Sequence, residues 1–455
     1  MFSKILFVLI FCTLYFAVRA PDYDIPLAGE DGIFADIFVN APPRPNYGQN
    51  ARVNGITIYA SLGHPAPLYE WLAISGKFFN KVLPLQEALN DPASKLSTYL
   101  RFSFSCFQFL AWLILIVYLL THSKENFRWK SLFLVLAIAI SPPAVIYSLW
   151  IQVDNASGSI IAALMMSAIL FWDRYKHAST KKLFMLLFAS GFVSALGKNE
   201  WSILVFLALM ASAAFVFIRN KYDNQNAEFK SSLEYKYLLS MLLGLVAGNI
   251  LSYMINPDTY MAGFELMTDM SKKSSLMNTN QVGNWWSLTK IRMQILYLGM
   301  ALWLYMTSVF VKKSPLKVST PIVLSFFLSS ALLWSFFITS WDPTERYFIP
   351  AFIALTYTIM LIRANQRLYL DKFVVYIILI LSIDSMISFA MSRDNHEYRV
   401  ENFSKYLNSL PSKQGCIHHI QYYAFNLKNI DYVAVGNGPG NLEGHLKKSG
   451  LKVCE

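Results

Sequence analysis

Eleven apolar runs punctuate this sequence, at about residues 5–20, 102–121, 131–149, 156–172, 183–197, 201–218, 237–255, 293–311, 319–340, 348–362 and 373–391. Each approaches the length needed to cross about 30 Å of hydrocarbon. In lipid every backbone N–H and C=O must be paired inside its own segment, so such runs have one practical outcome, the helix. Composition agrees: 55% hydrophobic and 15% aromatic residues against 15% charged is far from a soluble domain. The expected fold is an all-α polytopic membrane protein of about eleven transmembrane helices.

Orientation follows from Lys and Arg, which accumulate in short cytoplasmic loops. One alternate set of loops holds Lys124, Arg128 and Lys130, then Arg174, Lys176, Lys181 and Lys182. It continues with Arg219, Lys221, Lys230 and Lys236, then Lys312, Lys313 and Lys317, then Arg363, Arg367 and Lys372. These loops are expected in the cytoplasm, together with Lys4. The net charge of +11 is thereby a topology signal, and nucleic-acid binding is discounted. The opposite set is expected to face the periplasm or a lumen: segment 21–101, the links near Asp154 and Lys198, loop 256–292, the link around Arg346, and the tail from about 392. The expected location is the bacterial inner membrane, N-terminus cytoplasmic and C-terminus periplasmic. Ala17-Val18-Arg19-Ala20 leaves open a cleaved signal peptide, against which Pro21 argues.

Two domains are expected: a membrane domain over 1–391, and an outward C-terminal domain over 392–455. The latter reads as a small α/β appendage, with YVAVGNG as strand and turn, NLEGHLKKSG as a short helix and LKVC as a final strand. Cys416 and Cys454 both lie in this tail, where a disulfide is plausible. His418 and His419 have no further ligand pattern and read as a surface pair.

The informative charges sit in short outward links. Lys198, in ALGKNEWS, and Arg346, in WDPTERYFIP, are cations on the side that normally avoids them. A neighbouring Glu200, Glu345 or Asp342 would make each an interfacial ion pair of little consequence; otherwise each binds an anion, and a lipid phosphate is the anion met there. In GEDGIFADIF the apolar Ile33, Phe34, Ile37 and Phe38 follow a helical spacing, expected to lie on the membrane. Glu30 and Asp31 fall at its N-terminus, where acids also serve simply as caps. Asp154 stands just past the outer end of the third run, with the fourth beginning immediately, again a capping position. Acids and cations at one membrane level suit sugar transfer from a lipid phosphate, which needs a carboxylate beside the acceptor hydroxyl and cations on the departing phosphate.

These motifs resemble those of the GT-C superfamily of membrane glycosyltransferases, in the branch containing protein O-mannosyltransferases and lipid A aminoarabinose transferases. Glu30-Asp31-Gly32-Ile33-Phe34 is similar to the acidic pair and aromatic that open that family's first outward loop, with the acids in reversed order. His64-Pro65-Ala66-Pro67-Leu68-Tyr69 is similar to its His-Pro-Pro-Leu-Tyr-like turn, followed here by Leu68, Trp71, Leu72, Ser75, Phe78 and Phe79 at the spacing of a second interfacial helix. Asp154, Lys198 and Arg346-Tyr347-Phe348-Ile349-Pro350 match in order an Asp after the third span, a Lys after the fifth and an Arg-Tyr-Phe-Leu-Pro-like start to a late span. The resemblance covers about residues 1–365 and implies a GT-C-like fold. It also implies transfer of a sugar from a polyprenyl-phosphate donor to a glycan, lipid or protein acceptor, with inversion. It places Glu30 or Asp31 as base, Asp154 orienting acceptor or metal, Lys198 and Arg346 on the donor phosphate, and His64, Tyr69 and Tyr347 against substrate. No cofactor is implied with certainty. A divalent ion on Glu30, Asp31 and Asp154 is possible, with His64 as a further ligand.

The loop 256–292 is long and polar, and Gly283-Asn284-Trp285-Trp286 reads as an interface anchor or a sugar-stacking surface. Two rivals remain. A transporter or flippase of lipid-linked sugars would carry ionisable residues at mid-membrane, where only Asp384 stands. A glycan polymerase or ligase would carry its longest loop late, whereas here it comes first.

Overall fold

A computed structural model describes residues 2–24, 38–39, 51–53, 56–58, 66–88, 95–122, 125–141, 144–145, 148–149, 151, 153–175, 180–197, 199–222, 227–255, 257, 260–261, 299–308, 310, 318–339, 348–366, 383, 418–420 and 432–434. The long helices among these are α1 (Phe2–Ala17), α2 (Ala66–Phe79), α3 (Ser97–His122), α4 (Glu125–Ala139) and α5 (Val153–Tyr175). They continue with α6 (Thr180–Gly197), α7 (Asn199–Tyr222), α8 (Ala227–Ile255), α9 (Thr320–Thr339) and α10 (Phe348–Gln366). Residues 299–308 are also helical. Among the described residues five helices are long and apolar enough to cross a membrane, α1, α3, α5, α7 and α8, and two shorter apolar stretches lie in α9 and α10. The all-helical membrane fold expected from the apolar runs is the one observed. The run 373–391 falls outside the described residues except at Ile383.

The bundle is arranged around α5. It packs against α3, α6, α9 and α10, and 72% of its most apolar stretch is buried, against 22% in α1. Its core positions are Ala162, Ala163, Met165, Met166, Ile169 and Trp172, a mixture of small and flexible side chains that lets neighbouring helices close in on all sides. The margin is occupied by α1. Phe2, Ile5, Leu6, Leu9 and Ile10 are exposed there at the i, i+3, i+4, i+7, i+8 spacing of one helix face. In water such a stripe would be a liability; in a membrane it is the hydrocarbon face. The opposite face pairs antiparallel with α3: Lys4 Nζ donates to the Leu120 carbonyl at 2.8 Å, and Tyr15 Oη to the Ser105 carbonyl at 3.0 Å.

Between α6 and α8 the approach is closest. A methyl on Gly191 would lie 2.0 Å from the Met241 carbonyl oxygen, one on Gly244 2.0 Å from that of Phe188, and one on Gly248 2.5 Å from that of Phe192. Lipid gives apolar helices no hydrophobic reason to associate, so small residues that allow backbone contact supply the packing. Gly244→Val is expected to cost about 3 kcal/mol or more, because backbone cannot yield as a side chain does. Thermal unfolding in detergent measures it.

One span differs from its expected bounds. The run at 131–149 was expected to be helical throughout, but α4 covers Glu125–Ala139 and the chain leaves the helix at Ile140 and Ser141. Pro142 and Pro143 explain the break: proline has no N–H to donate, and the residue before it is pushed out of the helical region. The helix begins earlier than expected, taking in Arg128 and Lys130.

Short strands complete the description. β1 (Ala51–Val53) and β2 (Ile56–Ile58) pair antiparallel, Val53 opposite Ile56, in the first long loop. The two residues between them are Asn54-Gly55, a pair that suits the tight hairpin turn. In the tail, β3 (His418–Ile420) and β4 (Tyr432–Ala434) pair in parallel, with β4 inside the expected strand YVAVGNG. The tail's expected helix, its last strand and both of its cysteines lie outside the described residues.

Polar contacts separate the two ends of the bundle. At one, Arg219 pairs with Glu234 and donates to the Val318 carbonyl at 3.3 Å, while Ser319 Oγ donates to Asp173 Oδ1 at 3.0 Å. Arg174 and Lys221, in the last turns of α5 and α7, stand at the same end. The start of α5, with Asp154, lies at the other.

Candidate active site

Helix α5 starts at Val153, which puts Asp154 in its first turn, where the helix dipole favours a carboxylate. One turn later, about 6 Å along the axis, stands Gly158. A methyl on Gly158 would lie 2.9 Å from Pro350 Cγ and 3.2 Å from Trp201 Cζ2. Trp201 is three residues after Lys198 and Pro350 four after Arg346. Gly197, immediately before Lys198, is equally close: its methyl would lie 2.3 Å from Ile161 Cδ1 on the same helix. Two segments distant in sequence, residues 197–201 and the start of α10, therefore meet on the first turns of α5. In sequence Lys198 lies within the first and Arg346 shortly before the second.

The segment bearing Glu30 and Asp31 is tethered on both sides. Before it, a short helical turn, Ala20–Asp22, leads to Tyr23, whose Oη is 3.1 Å from Ser105 Oγ and whose ring packs edge-on to Phe102 at 6.0 Å. Burial holds the Tyr23 phenol above its ordinary pKa, so it stays a neutral hydrogen-bonding group. After it, Phe38 is fully buried, 5.4 Å from the Phe104 ring and 5.7 Å from Phe79. Gln86 Nε2 donates to the Val39 carbonyl at 2.8 Å. Both anchors are on residues 102–105 of α3. The acid segment thus leaves and returns to the same part of the bundle.

Helix α2 supplies the other anchor surface. The expected interfacial helix after His64 is observed at Ala66–Phe79, with Tyr69 in its first turn. Leu68 and Leu72 are buried in a cluster with Phe38, Leu100, Phe104, Ile151 and Ala156, which joins the first loop to the start of α5. Gly76 makes the junction: a methyl there would lie 1.7 Å from the Phe38 carbonyl oxygen. Ile74 and Phe78, by contrast, are exposed on the opposite face, with Lys77 beside them. That is the pattern of a helix lying flat with one side in lipid.

The late loop begins in the same place. Tyr260 Oη donates to Asn249 Oδ1 at 3.0 Å, and Ser202 Oγ lies 3.2 Å from the Asn249 amide. Ser202 adjoins Trp201, so the start of loop 256–292 is tied to the segment that follows Lys198.

Of the site residues expected from sequence, Asp154 and Tyr69 have described backbone. Glu30, Asp31, His64, Lys198, Arg346 and Tyr347 lie outside the described residues. The metal set Glu30, Asp31 and Asp154 falls largely there too. Among the described residues no group of three His, Cys, Asp or Glu side chains is placed to hold an ion. Gly158 and Gly76 escaped the sequence reading, because a lone glycine in an apolar helix carries no mark distinguishing a packing contact from chance.

No family model matches the sequence, and no curated protein is detectably similar to it. Solved structures do match. The crystal structure of ArnT from Cupriavidus metallidurans in the apo state is 12% identical, with a TM-score of 0.51, over 99% of this chain and 89% of that one. The same protein bound to undecaprenyl phosphate gives 13% identity and a TM-score of 0.54 over the same shares of each chain. ArnT is a lipid A aminoarabinose transferase of the GT-C type, the branch that the sequence motifs resemble. At that identity the likeness is one of architecture, and nearly the whole chain shares it: the protein has an ArnT-like membrane fold.

Proposed function

We propose that this chain is an integral membrane glycosyltransferase that moves a sugar from a polyprenyl-phosphate donor to a glycan, lipid or protein acceptor on the outward face. The observation that carries the reading is the meeting at Gly158, where the segments following Lys198 and Arg346 pack one turn beyond Asp154. The ArnT-like fold supports it, and the neighbour crystallised with undecaprenyl phosphate supports the donor class.

The residues divide into roles by charge. Glu30 or Asp31 takes the proton of the acceptor hydroxyl as it attacks the anomeric carbon from the side opposite the phosphate. Asp154 orients the acceptor, or a divalent ion if one is used. Lys198 and Arg346 hold the phosphate as negative charge develops on it, a task for cations fixed before reaction. Tyr69, at the head of α2, and His64 and Tyr347 would contact substrate around this centre. When bound, a divalent ion would add a further positive charge on the phosphate oxygens.

Binding is the accessible test. Purified full-length protein is expected to gain thermal stability with undecaprenyl phosphate. Lys198→Ala and Arg346→Ala should each weaken that binding by about tenfold or more, since a charged hydrogen bond contributes about 1.5–3 kcal/mol. Wild type that shows no shift with undecaprenyl phosphate overturns the donor assignment.

A further inference from the structure

Two guanidinium groups that the proposed chemistry does not use are buried at the Asp154 end of the bundle. Arg19 is fully buried. Its Nε donates to Ser148 Oγ at 2.7 Å, Nη1 to the Tyr15 carbonyl at 2.8 Å, and Nη2 to the Ala139 and Ala144 carbonyls at 2.9 and 3.2 Å. The cation also sits over the Tyr15 ring, 3.5 Å from its centroid. Arg101 is 2% exposed, donating from Nη1 to the Leu149 carbonyl at 2.5 Å and from Nε to Ser97 Oγ at 3.2 Å.

Four of these acceptors, at 139, 144, 148 and 149, lie between the last residue of α4 and the start of α5, in the link that joins the two helices. Carbonyls left unpaired where helices end at membrane depth need other donors, and the fixed fork of a guanidinium reaches several at once. A buried cation in a membrane protein is costly and marks a task. Arg19 donates to neutral oxygens, three carbonyls and one hydroxyl, so its task is holding the chain between α4 and α5 in place. The end of this link is seated in apolar clusters: Leu149 with Tyr23 and Val145, and Ile151 with Phe38 and Leu72. Asp154 follows Ile151 by three residues.

We propose that Arg19 and Arg101 are positioning residues, clamping the link between α4 and α5 from α1 and α3 and so setting where the first turn of α5, which carries Asp154, stands in the bundle. The clamp ties together the two ends of the candidate site: Arg19 is four residues before Tyr23, the anchor of the Glu30–Asp31 segment. Substrate need not touch either arginine. This deepens the reading of Asp154 as a site residue and rests on it for its importance, but the placement itself is tested without any substrate.

The experiment uses the full chain with its four native cysteines replaced by alanine. A single cysteine is placed either at the site, Asp154→Cys, or at a reference position, Tyr253→Cys, exposed near the end of α8. Each is combined with Arg19→Lys or Arg101→Lys, which keep the charge but lose the fork. The rate of labelling by a water-soluble maleimide is read. At position 154 it should change by about tenfold or more in both lysine backgrounds, and at 253 by less than about twofold. Equal changes at both positions would mean general loosening and overturn the proposal, as would no change at 154. Binding of undecaprenyl phosphate to the wild type is scored separately, so failure of the clamp and failure of the donor assignment give different results.

Discussion

Cells carrying the chain with Glu30→Gln and Asp31→Asn together are expected to lose at least about 10³-fold of its sugar transfer, while the protein remains inserted and folded. The magnitude follows from the loss of both the base, which contributes about 10²–10⁴-fold, and the local negative charge that orients the acceptor. Each single change should be milder if the second carboxylate can take over, and the more damaging one identifies the base. A glutamate reaches one methylene further than an aspartate, so Glu30→Asp is a sharper probe than Glu30→Gln if Glu30 is the base. Folding should survive because the segment's anchors, Tyr23 on Ser105 and Phe38 under Gly76, are untouched. The measurement is the glycan or lipid acceptor pool, compared by mass spectrometry with and without the variant.

The second large effect is expected at Gly158. Replacing it by leucine must push apart α5, Trp201 and Pro350, which leave a methyl only 3.2 and 2.9 Å. Trp201 is nearly buried and the Pro350 ring is rigid, so the strain falls on the helices themselves. A displacement on the order of 1 Å at Lys198 and Arg346 is enough to cost about 10²-fold in transfer. Gly158→Ala, which asks only a few tenths of an ångström of each neighbour, should keep more than about a third of the activity. Stability of the leucine variant is expected to fall by about 1–3 kcal/mol. If it retains full transfer and full undecaprenyl phosphate binding, the meeting point at Gly158 has no part in the site.

Much of this architecture was legible in the residues, because hydrocarbon leaves a chain little freedom. Apolar length predicted α3, α5, α7 and α8 to within a few residues at most of their ends, and the interfacial α2 followed from the spacing of Leu68, Trp71, Leu72 and Phe79. What failed were local signals overridden by bulk hydropathy. Pro142-Pro143 ended α4 at Ala139, although apolar residues continue past it. Asn54-Gly55, a strong hairpin signal, was passed over inside a loop read for interfacial helices. Gly244 and Gly248, four apart, mark a close helix contact by a known spacing that the sequence reading did not use.

The site was legible in part, for a related reason. Lys198 and Arg346 stood out as cations on the side expected to lack them, and that rule applies equally to Arg19 and Arg101 at the span ends expected to face outward. They were overlooked because the one reads as part of a cleavage motif and the other as the edge of a loop. Only the fold shows that both reach the link before Asp154. No sequence rule could have found Gly158, since what matters there is the simultaneous approach of Trp201 and Pro350 from remote parts of the chain.

The most direct test places wild-type protein in liposomes with a polyprenyl-phosphate sugar extracted from the membranes in which the chain is native, together with the matching acceptor extract. Free polyprenyl phosphate and the sugar-bearing acceptor are then followed by mass spectrometry. The account predicts that polyprenyl phosphate is released as the acceptor gains the sugar, one for one. Movement of intact lipid-linked sugar across the bilayer, with no release of polyprenyl phosphate, would contradict it and make the chain a transporter.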